Sequence, residues 1–261
     1  MAGFRVQSLL LTGSDQGIGL GLVQRFLELP QPPPLIFATC HHPDGPEGQA
    51  LKEMAACCSS ASDLVLLQLD VTDPHSIEEA VRKVEERTAG CGLNLLINNA
   101  ALTCNTSLES ETAQSMEAAY TTNTIGPLLV CQAFLPLLQR AAWRSFQGGM
   151  SCSKAAIVNI SSSYGSLSCC ADSWEWKQDV SYRCSKAALN MLTKCQSLAY
   201  GPFWGILCVA VNPEGVKTHV GAEQDTLSIE ASTGGIVQVL SGLSAKDSGT
   251  FLDWRGQTVP W

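Results

Sequence analysis

Among 261 residues this chain carries 12 cysteines, yet no two of them stand in a Cys-x-x-Cys spacing. The only close thiols are the neighbours Cys57-Cys58 and Cys169-Cys170, so no zinc framework and no metal site is expected. Scattered reduced thiols, most of them acting as small buried apolar groups, are the expectation. Long apolar runs are missing too. No uninterrupted stretch reaches the roughly 18 residues that cross a bilayer, and no basic N-terminal segment leads into an apolar signal core. A cytoplasmic protein with no membrane partner is therefore expected. Positive charge is scarce: 16 Lys and Arg face 24 Asp and Glu, a formal net charge of -8. That balance argues against nucleic acid or an anionic membrane as a main partner. Charged residues make up only 15% and hydrophobic ones 45%, which excludes a disordered chain. The length suits one α/β domain over residues 1–261, with no repeat or linker dividing it.

What the chain does have is alternation. Strand-like runs are expected at Val6 to Leu11, Leu35 to Cys40, Leu64 to Asp70, Leu93 to Asn98, Ala155 to Ser161, Ile206 to Asn212 and Thr250 to Trp254. Helical patterns fall between them, at Leu20 to Leu29 and around 47–57, 74–88, 112–140, 180–199 and 229–244. Strands alternating with helices predict a doubly wound parallel sheet covered on both faces. Ligands bind such a sheet beyond the carboxyl ends of its strands. The longest irregular stretches, 163–179 and 213–227, fall on that side and are expected to shape a substrate pocket.

The first strand runs into Thr12-Gly13-Ser14-Asp15-Gln16-Gly17-Ile18-Gly19 and then into a helix. Gly13 allows a tight turn, Gly17 lets the backbone approach a pyrophosphate, and Gly19 permits close helix packing. Free N–H groups at the helix start attract the anion. Further along, Tyr182 and Lys186 stand four residues apart in a helical stretch, so that phenol and ammonium share one face. A neighbouring cation favours the phenolate, which predicts a Tyr182 pKa lowered from about 10 toward the working range.

Three more motifs follow in order: Asn98-Asn99-Ala100 after a strand, Asn123 within Tyr120 to Pro127, and Ser161-Ser162 after Ile157 to Ile160. With them the chain resembles the short-chain dehydrogenase/reductase family over nearly its whole length. Within that family it is most similar to carbonyl reductases of the sniffer and C-factor type. The likeness lies in Leu11-Thr12-Gly13, Ala38-Thr39-Cys40, Ala133 to Leu138, Val216-Lys217-Thr218 and Pro260-Trp261. The resemblance implies a Rossmann-type seven-stranded sheet and reduction of an aldehyde, ketone or quinone. It makes Tyr182 the general acid/base and Lys186 the residue that steadies its charge and holds a ribose hydroxyl. Ser162 becomes the donor to the carbonyl oxygen, and Asn123 a helix-distorting residue that places a water beside Lys186. Ser162 is preferred to Ser161 because family members carry the catalytic serine second, and strand alternation turns the two to opposite faces.

By the same resemblance the cofactor meets Gly13, Ser14, Gln16, Gly17, Ile18 and Gly19, then Asp70 and Val71 at the adenine. Asn98 and Ala100 line the adenosine ribose, and Pro213, Val216 and Thr218 border the nicotinamide and phosphates. Asp70 has a plainer alternative as the cap of its own turn. At the end of the second strand, Cys40-His41-His42 offers neither the acid that suits NAD nor the arginine that suits NADP. With no carboxylate to repel a 2′-phosphate, NADP(H) is preferred and NAD(H) is not excluded, with Ser14, His41 and His42 as candidate phosphate contacts. Two glycines usual in the family are replaced, by Ala101 and Glu214, and Glu214 brings charge and possible backbone strain to the cofactor site. Tyr182 follows Ser162 at a longer interval than the family usually shows. The added length carries Trp174 and Trp176 as candidate substrate contacts, or else an outer cover. The alternatives are an NAD-dependent alcohol or steroid dehydrogenase and a dinucleotide-binding regulator with weak or lost turnover. Pairing of the long helices near 112–140 and 180–199 into a dimer or tetramer is expected by resemblance.

Overall fold

A computed structural model of the chain describes residues 4–58, 61–145, 148–175, 177–214 and 227–261. Seven short strands lie in one sheet: β1 (Ser8–Leu11), β2 (Leu35–Cys40), β3 (Asp63–Gln68), β4 (Leu95–Asn98), β5 (Ala156–Ile160), β6 (Leu207–Asn212) and β7 (Phe251–Asp253). Their order is β3-β2-β1-β4-β5-β6-β7, with every neighbouring pair parallel. The strands are nearly continuous runs of Leu, Ile, Val and Ala because both faces of the sheet are covered. Alternation along β1 shows this directly: Leu9 and Leu11 enter one core and Leu10 enters the other.

The first core is closed by α1 (Gly17–Leu27), α2 (Gln49–Cys57) and α7 (Ile229–Gly242), through residues such as Phe26, Leu51 and Ile236. The second is closed by α3 (Pro74–Thr88) and α5 (Gly126–Arg144), through Ile77, Val84, Val130 and Phe134. The remaining helices are α4 (Ala113–Tyr120), which precedes α5, and α6 (Val180–Trp204). Local chemistry sets the ends of α3. Asp73 caps it by accepting the His75 N–H at 2.9 Å, Pro74 occupies its first turn, and Ala89 closes it in a left-handed conformation.

The single helix expected over 112–140 is instead α4 and α5 joined by a π turn at Thr121–Ile125, and it continues to Arg144. The run Ala113–Arg144 contains a window of mean hydropathy 1.3, half of it buried, and its buried apolar side chains, such as Val130, Phe134 and Leu137, face the second core. The helix expected to end at 199 runs on to Trp204, with Pro202 inside it. The stretch 163–179 is more ordered than expected, with short 3-10 turns at Ser163–Gly165 and Cys170–Ser173. The strand order places β2 on one side of β1 and β4 on the other. Loops leaving them diverge, and the crevice so formed is the ligand site of this architecture.

Candidate active site

The turn after β1 is shaped by close approach. Gly13 has φ 62, and a Cβ there would lie 2.9 Å from Ala100 Cα; Gly17 has φ 54. A Cβ on Gly19 would lie 2.0 Å from the Gly13 carbonyl oxygen. Two motif residues to which the sequence assigned no role of their own lock this loop. Thr12 Oγ1 accepts the N–H groups of Asn99 and Ala100 at 3.0 and 3.1 Å. Asn99 Nδ2 donates to the carbonyls of Thr12 and Gly13 at 3.1 and 2.8 Å. Gln16 immediately precedes helix α1, is exposed and makes no side-chain cap, and no acid lies in the helix's first turn. An uncapped helix start facing a glycine turn too tight for side chains fits the pyrophosphate of a dinucleotide.

Several expected cofactor contacts have other work in the structure. The Ser14 hydroxyl is fully buried, donates to the Leu11 carbonyl at 2.8 Å and accepts the Thr39 N–H at 3.2 Å. It braces β1 against β2 and does not offer itself to a phosphate. Asn98 is 3% exposed, and its Nδ2 donates to Asn159 Oδ1 at 2.8 Å. Asn159 in turn donates to Thr193 and Gln196 of α6, so the Asn98 amide N–H belongs to a polar tie beneath the crevice, while its Oδ1 is buried without a hydrogen-bond partner among the described residues. The Val71 side chain is buried in the second core against Gly126, and Ile18 packs on the first. Asp70 Oδ1 accepts both the N–H and the hydroxyl of Thr72, which is the plainer role foreseen for it, while Oδ2 lies 3.8 Å from His41 Nδ1. Burial pushes the Asp70 carboxyl up, but the Thr72 hydrogen bonds and His41 outweigh it and leave the group below the usual carboxylate range. His41 and His42 are exposed beside the end of β2. The Pro213 carbonyl accepts the Ser232 hydroxyl at 2.6 Å, fixing the end of β6 to α7. Trp176, Val216 and Thr218 lie outside the described residues, as does most of 213–227.

The two serines after β5 do face opposite ways. Ser161 is buried and donates to Asn190 Oδ1 at 2.6 Å, whereas Ser162 is only partly buried; its hydroxyl accepts the Tyr164 N–H at 3.2 Å and lies near enough to the Tyr182 phenol to lower its pKa. The Tyr182 ring meets Tyr164 edge-on, with centroids 6.2 Å apart. Behind it Lys186 is 2% exposed; its ammonium donates to the Ile160 carbonyl at 2.7 Å and lies 5.5 Å from the Tyr182 ring centroid. Gly165 makes this approach possible, since a Cβ there would lie 2.8 Å from Lys186 Cβ. Asn123 sits in the π turn with no exposed surface. Its side chain accepts from the Leu102 N–H at 2.7 Å and donates to the Leu102 carbonyl and the Ser185 hydroxyl at 2.8 and 2.9 Å. Ser162, Tyr182, Lys186 and Asn123 are thus gathered where β5, α6 and the π turn meet.

The expected lowering of the Tyr182 pKa is corrected by this geometry. Burial pushes the phenol up to about 12; the Ser162 hydrogen bond pulls the other way, and Asp179 and Tyr164 add to the rise. Burial also drives Lys186 down to about 7, so the amine that was expected to supply a full positive charge holds it weakly. Desolvation outweighs the pairing that the sequence spacing suggested.

Around this group the structure shows further residues that spacing did not reveal. Asn212 Oδ1 accepts the N–H groups of Ser163 and Glu214 at 3.1 and 3.2 Å, tying the end of β6 to the turn that carries Ser162. Glu214 has φ 69, so the strain foreseen for a non-glycine residue is present, and its side chain is exposed. Arg183, 6% exposed, gathers the longer loop before α6. It donates to the Lys177 carbonyl and the Ser173 hydroxyl at 2.8 Å each, and lies 4.2 Å from the Tyr164 ring centroid and 5.7 Å from that of Trp174. Trp174 lines a cavity of about 500 Å³ together with Asn105, Thr106, Ser107, Lys177, Gln178 and Asp179. Neither Ser162 nor Tyr182 is among its described lining residues.

A switch-point crevice with a glycine cradle, bordered by a serine, a tyrosine and a buried lysine, defines a dinucleotide-dependent oxidoreductase. The chain belongs to the short chain dehydrogenase family, which matches it over residues 7–229. It is 50% identical to the NADPH-bound carbonyl reductase from chicken fatty liver, with a TM-score of 0.93 over 98% of this chain and 100% of that one. The carbonyl reductase Sniffer of D. melanogaster is 35% identical, with a TM-score of 0.89 and the same coverage. The C-signal of Myxococcus xanthus is 33% identical over 172 residues, 65% of this chain and 93% of that protein.

Proposed function

We propose that the protein reduces the carbonyl group of a small aldehyde, ketone or quinone to an alcohol, using NADPH, with Tyr182 as proton donor. The observation that carries this reading is the gathering of Ser162, Tyr182 and the buried Lys186, with the Lys186 ammonium 5.5 Å from the Tyr182 ring centroid and Ser162 beside the phenol. A substrate oxygen entering between those hydroxyls receives a hydrogen bond from Ser162, which opposes the charge that builds there. Tyr182 then delivers its proton to that oxygen. The nicotinamide, when bound, supplies the hydride that reaches the carbonyl carbon. Lys186 steadies the resulting phenolate and holds a ribose hydroxyl, and the π turn at Asn123 opens a path for a water to restore the proton.

A phenol pushed up to about 12 is in its protonated form at neutrality, the form from which carbonyl reduction starts. NADPH is favoured over NADH because no carboxylate closes β2, and His41 stands exposed there. The chicken carbonyl reductase, with NADPH bound, supports the same choice. A second reading, a dinucleotide-binding regulator with little turnover, is favoured by one observation: Glu214 keeps a left-handed backbone where the family resemblance implies glycine. A panel of aldehydes, ketones and quinones assayed with NADPH and NADH separates these. NADPH-dependent turnover at a lower KM for NADPH than for NADH is expected. Tight NADPH binding with no turnover of any member overturns the enzyme reading.

A further inference from the structure

Arg183, next to Tyr182 on α6, is a buried cation whose every shown acceptor is neutral. Its guanidinium donates to the carbonyls of Gln178, Lys177 and Cys170, the last two at 2.8 and 3.4 Å, and to the Ser173 hydroxyl at 2.8 Å. A buried charge without a carboxylate is costly unless its donors are met and its flat face is covered. The loop before α6 meets the donors, and two rings cover the face. The Tyr164 centroid lies 4.2 Å from the guanidinium carbon and that of Trp174 5.7 Å, both within cation–π range.

Tyr164 connects this cation to the site. Its backbone N–H donates to the Ser162 hydroxyl at 3.2 Å, and its ring meets the Tyr182 ring edge-on, with centroids 6.2 Å apart. The backbone on its other side is fixed as well, since Gly165 is packed against Lys186 and its carbonyl accepts Asn190 Nδ2 at 3.2 Å. With both flanks held, the remaining freedom of Tyr164 is the rotation of its side chain, and the guanidinium on the ring is what opposes that rotation. The ring is only half-buried, and it stands two residues from the hydroxyl expected to receive a carbonyl oxygen.

We propose that Arg183 is a positioning residue that sets substrate choice: it holds the Tyr164 ring as an aromatic wall beside Ser162 and Tyr182, and that wall selects planar aromatic carbonyls over small aliphatic ones. A fixed ring offers a flat substrate a large apolar contact that a short aldehyde cannot use. The inference rests on the carbonyl-reductase reading and narrows its substrate class. Arg183→Met keeps the length of the side chain without fork or charge, Arg183→Lys keeps a cation for the ring without the fork, and Tyr164→Leu removes the ring itself.

Steady-state reduction by the full chain with NADPH tests this on two probes, phenanthrenequinone as the planar one and propanal as the small one. The parent is expected to prefer phenanthrenequinone by about tenfold or more in kcat/KM. In Arg183→Met its KM is expected to rise about fivefold or more with kcat within about twofold, while both constants for propanal and the affinity for NADPH stay within about twofold. Arg183→Lys is expected to recover part of the loss. Tyr164→Leu is expected to reproduce the rise in KM, and adding Arg183→Met to it to change KM little further. A merely structural role lowers turnover of both probes in parallel, and that result overturns the proposal. So do a parent without preference, a lysine variant no better than the methionine one, and additive effects in the double variant. If Arg183→Met does not fold, Tyr164→Leu decides: an unchanged KM for phenanthrenequinone refutes the wall. If the parent reduces no carbonyl, the enzyme reading fails separately, and phenanthrenequinone binding to the NADPH-loaded protein, read by quenching of tryptophan fluorescence, decides instead. Equal affinity in parent and Tyr164→Leu then refutes the inference.

Discussion

Glu214 shows how much one residue can set in a site otherwise built from family parts. With φ 69 it occupies a conformation that suits glycine, at a cost on the order of 1 kcal/mol, at the edge of the crevice expected to hold an anionic dinucleotide. Glu214→Gly is therefore expected to stabilise the fold by about 1 kcal/mol and to tighten NADPH binding by a few fold. Thermal unfolding and a fluorescence titration of NADPH check both, and weaker binding in the glycine variant would refute the strain account. This residue was legible as a departure from pattern, though its posture was not. Tyr182 and Lys186 give the converse lesson: their spacing placed them together, but spacing says nothing about desolvation. The electrostatic expectation reversed once Lys186 proved to be sealed under Gly165 and bonded to the Ile160 carbonyl. The bonds that Ser14 and Asn98 make within the fold were illegible for a similar reason, since a strand end shows which residues border a crevice but not which way a side chain turns.

At the scale of elements, α6 depends on a carboxylate that is remote in sequence. Glu111 accepts hydrogen bonds from Ser115, Thr106, Thr112 and Ser181. Burial pushes its carboxyl up, but those four donors prevail and hold it at about 2. The folded value lies below the ordinary 4.5, so the folded state binds fewer protons than the unfolded state between those limits. The contribution to stability is full above about 4.5 and is lost as pH falls toward 2. Glu111→Gln is expected to lower the melting temperature at neutral pH by about 2–4 °C and to flatten the acid limb of the stability profile. Chemical denaturation across that pH range reads this, and an unchanged acid limb would contradict it. The type of most helices was legible from the helical patterns falling between the strands, whereas caps such as Asp73-Pro74 at α3 emerged only in the structure. A distortion at Asn123 was implied by the family resemblance, but its π form was not legible, because it accompanies side-chain bonds to Leu102 and Ser185 that lie remote in sequence.

The whole molecule is one parallel sheet whose strand order diverges beside β1, with the glycine cradle on one side of the crevice and the Ser162–Tyr182 pair on the other. That arrangement was readable because hydrophobic runs, turns and motifs fell in a consistent order along the chain. The loop before α6 was not readable, since its organisation by Arg183 is a matter of three-dimensional convergence on backbone carbonyls and ring faces. The central claim is that Tyr182 delivers the proton in an NADPH-dependent reduction, and the direct measurement is kcat for Tyr182→Phe beside its parent, with NADPH affinity determined in parallel. The account predicts a loss of about 10²–10⁴-fold in kcat, with NADPH binding nearly unchanged. A Tyr182→Phe protein that turns over as fast as its parent would contradict it.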